Sequence, residues 1–342
     1  MFQEAAQAGT VVRAQLEANA VSVARLAKRL REAPPRMVVT CARGSSDHAA
    51  TFAKYLFETR LGVITASAAP SVSSVYGAKQ DLRDALFLVI SQSGRSPDLI
   101  ASARSAQEAG ALVVATVNDE SSPLASLADF TLPLCAGEEK SVAATKSYVA
   151  SLSALVHLAS EWSRDTSLRS ALARLPADLD RAWNLDWTEA LRALSPVTHL
   201  YVIARGVGLG IAQEAALKCK ETCGLHAEAF SSAEVRHGPQ ALLREKFPAL
   251  VFCQDDETRS GTEALARELA GRGVPVLIAG LDSRSLATRP PGMTGLESIA
   301  THAVIEPILV VESFYKLANA LAIARGHDPD DPPHLRKVTQ TL

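Results

Sequence analysis

From Glu214 to Pro239 the chain reads EAALKCKETCGLHAEAFSSAEVRHGP, so carboxylate, ammonium and imidazole groups crowd into one short segment. Its first half has helix-forming composition, and Glu214, Lys218 and Glu221, at i, i+4 and i+7, fall on one face. Two carboxylates and an ammonium share one stripe, and together with the nearby imidazole they suit acid/base work. The other faces carry Ala215, Ala216, Leu217, Cys219 and Cys223, so the helix is expected to pack inside a domain with its charged stripe lining a cavity. The competing reading is a solvated face with an ordinary Glu-to-Lys pair. His226 and Glu228 follow, and Ser231-x-x-Glu234 is expected to open a second short helix as a capping box. That helix should stop at His237-Gly238-Pro239, where an imidazole in the last turn meets the negative end of the helix dipole.

These groups need a scaffold, and the chain supplies the same unit twice. Met37 to Cys41 is a buried-strand run, followed by Arg43-Gly44-Ser45-Ser46-Asp47-His48 and a helix from Ala49 to Thr59. The pattern returns at Leu200 to Gly206, and both copies read ARG at the turn, at 42–44 and 204–206. Ala85 to Ile90, SQSGRS, a helix to Gly110 and a strand from Ala111 to Val117 overlay Ala249 to Phe252, QDDETRS, a helix to Gly271 and a strand from Val274 to Ala279. The alternation predicts an α/β protein with two similar doubly wound parallel-sheet domains in tandem. The expected boundaries are N-terminal helices over 1–33, a first domain over 34–162, a helical connector over 163–196, a second domain over 197–327 and a tail over 328–342.

The duplication also separates roles. Ser91, Gln92, Ser93 and Ser96 lie beyond a buried strand, with Ser96 as N-cap and Pro97 at the first helical position, which makes an anion cradle. Gln254-Asp255-Asp256-Glu257 stands at the same place in the second copy, where its charge would repel a phosphate. Only the first copy should hold an anion. Ser45 and Ser46 either add hydroxyls to that anion or form an ordinary capping pair. Residues 138–146 lead into a long apolar helix, so Thr145 and neighbouring amides offer a further helix-terminus contact.

With 342 residues, 47% of them hydrophobic, and net charge −2, the chain has the size and balance of a two-domain protein without a nucleic-acid footprint. Apolar runs are short, and Glu4, Arg13 and Glu17 interrupt any signal-like start, which leads to the expectation of a cytoplasmic protein with no membrane partner. Five cysteines, an odd number, suggest buried reduced thiols; Cys219 and Cys223 lack the neighbours that would complete a metal site. The segment 326–337, with three prolines, is expected to fray.

In this order, GSSDHA, SQSGRS, SVAATKS, EAALKCKE, HAEAFSSAEVRHGP and the terminal LRKVTQTL resemble the sugar isomerase (SIS) family. The resemblance is to the isomerase half of glutamine-fructose-6-phosphate aminotransferase and to stand-alone glucosamine-6-phosphate deaminases of sugar isomerase type. It implies two flavodoxin-like domains, no cofactor and no metal. It places phosphate binding on Ser91, Gln92, Ser93, Ser96 and Ser46, with Ser45 beside them, and sugar contact on Val142, Ala143 and Ala144. Glu221 becomes the group that moves a proton between C1 and C2, helped by Lys218 and Glu214. His237 opens the sugar ring from the neighbouring subunit of a homodimer, and Lys337 matches a tail lysine able to form a Schiff base. Ala144 replaces a serine of the aminotransferase, and Arg95 stands at a position that is acidic there. Met1-Phe2-Gln3 offers no N-terminal cysteine nucleophile, so nitrogen is not expected to come from glutamine. The implied reaction is deamination and isomerisation of glucosamine 6-phosphate to fructose 6-phosphate. The alternatives are a galactosamine or tagatose 6-phosphate enzyme and a non-catalytic phosphosugar-binding regulator.

Overall fold

The structure is a computed structural model that describes residues 1–335 and Lys337; Arg336, residues 338–342 and the side chain of Ser283 lie outside the described residues. Most of the LRKVTQTL ending therefore lies outside them as well. In chain order the helices are α1 (Phe2–Ala5), α2 (Ala8–Glu32), α3 (Ser45–Leu61), α4 (Ser71–Ser74), α5 (Pro97–Glu108), α6 (Pro123–Leu127), α7 (Lys146–Ser163), α8 (Thr166–Trp183), α9 (Thr188–Leu194), α10 (Gly208–Cys223), α11 (Arg259–Gly271), α12 (Ser283–Ala287) and α13 (Glu306–Ala324). The strands are β1 (Met37–Cys41), β2 (Thr65–Ser67), β3 (Ala85–Ser91), β4 (Leu112–Val117), β5 (Phe130–Pro133), β6 (His199–Ala204), β7 (His226–Ser231), β8 (Ala249–Phe252), β9 (Val276–Ala279) and β10 (Met293–Leu296).

Two compact units divide the chain. One comprises Thr10–Glu139, Lys146–Ala173 and, near the chain's end, Lys337. Its parallel sheet has the order β2-β1-β3-β4-β5. All seven residues of β3 are buried, as a parallel strand covered on both faces requires. Phe87, Val89, Val113 and Ala115 meet Leu99, Ala103 and Ala106 of α5 in one core.

The second unit comprises Met1–Gly9, Lys140–Thr145 and Arg174–Leu335. Its sheet has the order β7-β6-β8-β9-β10, again all parallel, so the two sheets share one topology, 2-1-3-4-5. Here Ile203, Val251 and Ile278 pack against Leu265, Ala266 and Leu269 of α11. The tandem doubly wound sheets read from the alternating pattern are present. The four edge strands β2, β5, β7 and β10 are new, and β7 includes His226, Glu228 and Ser231.

All five cysteines are free, and burial pushes the Cys41 and Cys253 thiols up to about 12 and the Cys223 thiol to about 11, which keeps them unreactive. Among the described residues one helix, α13, is long and apolar enough to cross a membrane, and 78% of its most apolar window is buried inside the protein. Glu312 interrupts that helix. Burial, and then the nearby Asp180 carboxylate, push its carboxyl well above the ordinary range, and its Oε2 finds no hydrogen-bond partner among the described residues.

An acid whose folded value is raised keeps its proton after the unfolded chain has lost it, so Glu312 makes stability fall as pH rises above the usual glutamate value. Glu312→Gln removes that loss. Denaturant titrations between about pH 5 and 7 should show wild type losing ground to the variant by roughly 1.4 kcal/mol per pH unit while only the unfolded carboxyl is ionised. Parallel curves would contradict the assignment.

Candidate functional site

The charged stripe of α10 is buried rather than solvated. Glu214 and Lys218 are sealed from solvent, and only Glu221 keeps an exposed edge, 21% of its side chain. Lys218 Nζ lies 3.3 Å from Glu214 Oε1 and donates a short hydrogen bond to Glu221 Oε2. Burial alone would push the Lys218 ammonium down, but Glu214 and Glu221 together outweigh it and hold the group above the ordinary lysine value of 10.5. The stability this ion contributes is therefore complete at neutral pH and is lost only as pH rises through that elevated value.

The rest of the second unit explains why α10 begins and ends where it does. Its first residue, Gly208, leaves room for Gln254, whose Oε1 would sit 2.8 Å from an added Cβ. Gln254 is 1% exposed, and its Nε2 lies 2.7 Å from the Arg205 carbonyl, 2.9 Å from Asp256 Oδ2 and 3.0 Å from Thr258 Oγ1. The crevice between β6 and β8 is thus filled by the chain's own amide. Gly224 ends the helix at φ +55°, with His327 so near that a Cβ would meet Nε2 at 2.6 Å.

The capping box expected at Ser231 does not form. Ser231 ends strand β7, and the following turn of 3-10 helix, Glu234–His237, has Ala233 at its N-cap with no side-chain cap. Pairing with β6 captures this segment, because Ser232 N donates to the Ala204 carbonyl. His237 closes the turn and is exposed, and Gly238 follows at φ +134°. His226 is also exposed, edge-on to His199 at 5.7 Å.

In the first unit, the order 2-1-3 makes a crevice at the carboxyl ends of β1 and β3, where folds of this topology bind ligands. Cys41 pairs with Val89, so Ser91 overhangs the end of β1 by two positions. Ser91 Oγ accepts from Gly94 N at 3.1 Å and Ser93 Oγ from Arg95 N at 3.3 Å, which curls the turn. Gly94 is required there: its φ is +61° and an added Cβ would strike Ser122 Oγ at 2.2 Å. Ser96 is the N-cap of α5 by position, yet its hydroxyl makes no capping hydrogen bond. Ser45 and Ser46 are the first two residues of α3, behind Gly44 at φ 55°, so they are not a capping pair and their amides belong to the open end of a 17-residue helix.

Residue type alone does not mark Arg43, which belongs to the ARG repeat. Its guanidinium grips Asp98, in the first turn of α5, through Nε and Nη2, both at 2.9 Å. The clamp ties the turn after β1 to the helix after β3 and neutralises a carboxylate beside the serine turn. Arg95 turns to the surface and pairs with Asp119 at 2.7 Å. The Ser121 hydroxyl, and then Arg95, hold the Asp119 carboxyl below the usual range.

Lys337 also belongs to the first unit, where its Nζ donates to Glu139 Oε2 at 3.0 Å. Buried Glu139 accepts in addition from the backbone and hydroxyl of Ser147 at the start of α7. Val142, Ala143 and Ala144 fall in the second unit, Ala143 buried and the other two half-buried. The predicted residues thus fall into two sets: Ser45, Ser46, Ser91, Gln92, Ser93, Ser96 and Lys337 in one unit, and Val142, Ala143, Ala144, Glu214, Lys218, Glu221 and His237 in the other.

A family profile, SIS domain, matches residues 30–161 and 193–291, which covers the central strands of both sheets. The chain belongs to the SIS domain family. Among curated SIS relatives, glutamine--fructose-6-phosphate aminotransferase of Pyrobaculum aerophilum is 34% identical over 317 residues, covering 89% of this chain and 51% of that protein. The chain thus spans about half the length of the curated relatives it matches. A provisionally named phosphosugar isomerase from Silicibacter pomeroyi is 42% identical in its solved structure, with a TM-score of 0.90 over 96% of this chain and 99% of that one. The C-terminal domain of glucosamine-fructose-6-phosphate aminotransferase from Francisella tularensis is 25% identical, with a TM-score of 0.86 over 96% and 97%.

If Lys218 holds two carboxylates together in a dry setting, Lys218→Met strands both of them. Urea unfolding at neutral pH should then show a loss of about 3–5 kcal/mol, the usual cost of breaking a buried ion pair from one side. Adding Glu214→Gln should restore part of it. A loss below about 1 kcal/mol would place the trio in solvent-like surroundings.

Proposed function

We propose that the chain acts on an amino sugar 6-phosphate, interconverting aldose and ketose with loss of ammonia, glucosamine 6-phosphate giving fructose 6-phosphate. The observation that carries this reading is the α10 trio: one carboxylate with an exposed edge, gripped by a buried ammonium that a second carboxylate holds in place. That is a base fixed in position, and the reaction needs one such base. In the open-chain sugar, Glu221 takes the proton from C2 and returns it to C1 on the same face, so the C1 aldehyde becomes an alcohol and the C2 amine an imine. Water adds to C2, ammonia leaves, and the ketose remains. The hydrolysis needs only water as co-reactant.

The serine turn supports the phosphate assignment. Ser91, Gln92, Ser93 and Ser96, with the first amides of α3 and α5, form the anion seat, and the crevice of the other sheet is filled by Gln254. Anchoring the phosphate lowers the entropic part of the barrier. Val142, Ala143 and Ala144 are assigned to sugar contact. Lys337 would have to release Glu139 before its amine could attack a carbonyl. His237, exposed and on a separate element, is assigned to ring opening in a partner subunit of a homodimer.

Incubation with glucosamine 6-phosphate should release ammonia and fructose 6-phosphate in equal amounts, and Glu221→Gln should slow this by about 10²–10⁴-fold. Galactosamine 6-phosphate and tagatose 6-phosphate complete the panel. A wild-type protein that binds the sugars but turns none of them over would overturn the proposal. Mixing inactive Glu221→Gln and His237→Ala chains should recover about a quarter of the wild-type activity if the imidazole crosses between subunits of a two-fold dimer; no recovery would assign it to its own chain.

A further inference from the structure

Tyr315 lies on α13, which packs along α10 within the second unit. Its neighbours Phe314 and Val311 are fully buried, and Phe314 meets Phe252 edge-on at 6.3 Å, so packing alone would be served by a phenylalanine at 315. A buried phenol must place its proton, and Tyr315 Oη donates to Glu214 Oε1 at 3.1 Å. That oxygen is the same one that stands 3.3 Å from Lys218 Nζ. Glu214 Oε1 therefore receives donors from two helices.

Two further ties hold α10 to α13. Cys223 Sγ donates to the Ala318 carbonyl at 3.4 Å, and Arg325 Nε donates to the Cys223 carbonyl at 2.8 Å while its Nη1 reaches the Ser195 and Val197 carbonyls. These fix the end of α10. The phenol acts nearer its middle, on the charged stripe.

We propose that Tyr315 is a positioning residue for the acid/base trio: its hydroxyl fixes Glu214, Glu214 fixes Lys218, and Lys218 fixes the Glu221 carboxylate. Tyr315 is sealed from solvent and acts through two intermediaries. Glu214 and Lys218 are sealed from solvent, so water does not replace a donor that is removed. Without the phenol proton the Glu214 carboxylate turns further onto Lys218 Nζ and draws the ammonium from Glu221, which is then free to swing. Ground-state binding of a phosphosugar, assigned to the serine turn, is untouched. The kinetic part of this inference rests on the proposed function; the geometric part does not.

The test is Tyr315→Phe, which keeps the ring, with thermal melting to confirm that it folds. With glucosamine 6-phosphate, kcat should fall about tenfold or more while KM stays within about twofold, as expected for loss of a charge-assisted hydrogen bond behind the reacting group. In a Glu214→Leu background the same change should have no further effect on kcat. Crystals of wild type and Tyr315→Phe at one pH should show Glu214 turned and the Lys218–Glu221 contact opened. Unchanged kcat, a rise in KM alone, additive effects in the double variant, or a crystal in which Glu214 and Lys218 keep their places would each overturn the inference. Should wild type turn over none of the sugars, the proposed function fails, and the two crystals still decide the role of Tyr315.

Discussion

An ammonium ion buried in a protein must be compensated or it loses its proton, and Lys218 is compensated twice. That requirement governs the second unit. It needs Glu214 one turn before and Glu221 one turn after on the same helix, a backing helix that excludes water, and a start and stop that hold α10 in register. Gly208 and Gln254 supply the start, Gly224 and Arg325 the stop, and α13 the backing. The result is one carboxylate with an exposed edge whose direction is prescribed from behind. A flexible surface glutamate would spend entropy on each encounter with a substrate; this one has been ordered in advance by folding.

The two sheets have one topology and opposite fates at the same place. In the first, the loops after β1 and β3 leave small hydroxyls and helix amides at the crevice, and Arg43 cancels the charge of Asp98 beside them. In the second, a glutamine folds back and satisfies itself on Arg205, Asp256 and Thr258. The two sheets thus offer equivalent crevices, one lined by hydroxyls and helix amides and the other occupied by Gln254, while only the helix after β6 carries a Glu-Lys-Glu stripe at i, i+4 and i+7.

The central strands β1, β3 and β4 and their counterparts β6, β8 and β9 were legible because each is an apolar run with few alternatives to burial. The edge strands were not. β2 has three residues and β7 reads HAEAFS with most positions partly exposed, so neither composition nor period distinguishes them from loop until the sheet is in place. For the same reason Ser231-x-x-Glu234 misled: a local capping pattern lost to pairing with β6. The α10 trio was legible because its spacing is local. The Arg43–Asp98 and Tyr315–Glu214 contacts span 55 and 101 positions, and nothing in the single sequence marks one partner for the other.

The proposed reaction turns on a single fixed base that serves C1 and C2 from one side. Fructose 6-phosphate held with the protein in D₂O, and followed by proton NMR, tests this without reliance on ammonia release. One of the two C1 hydrogens should exchange for deuterium while the other persists. Exchange of both, or of neither in a protein that binds the sugar, would contradict it.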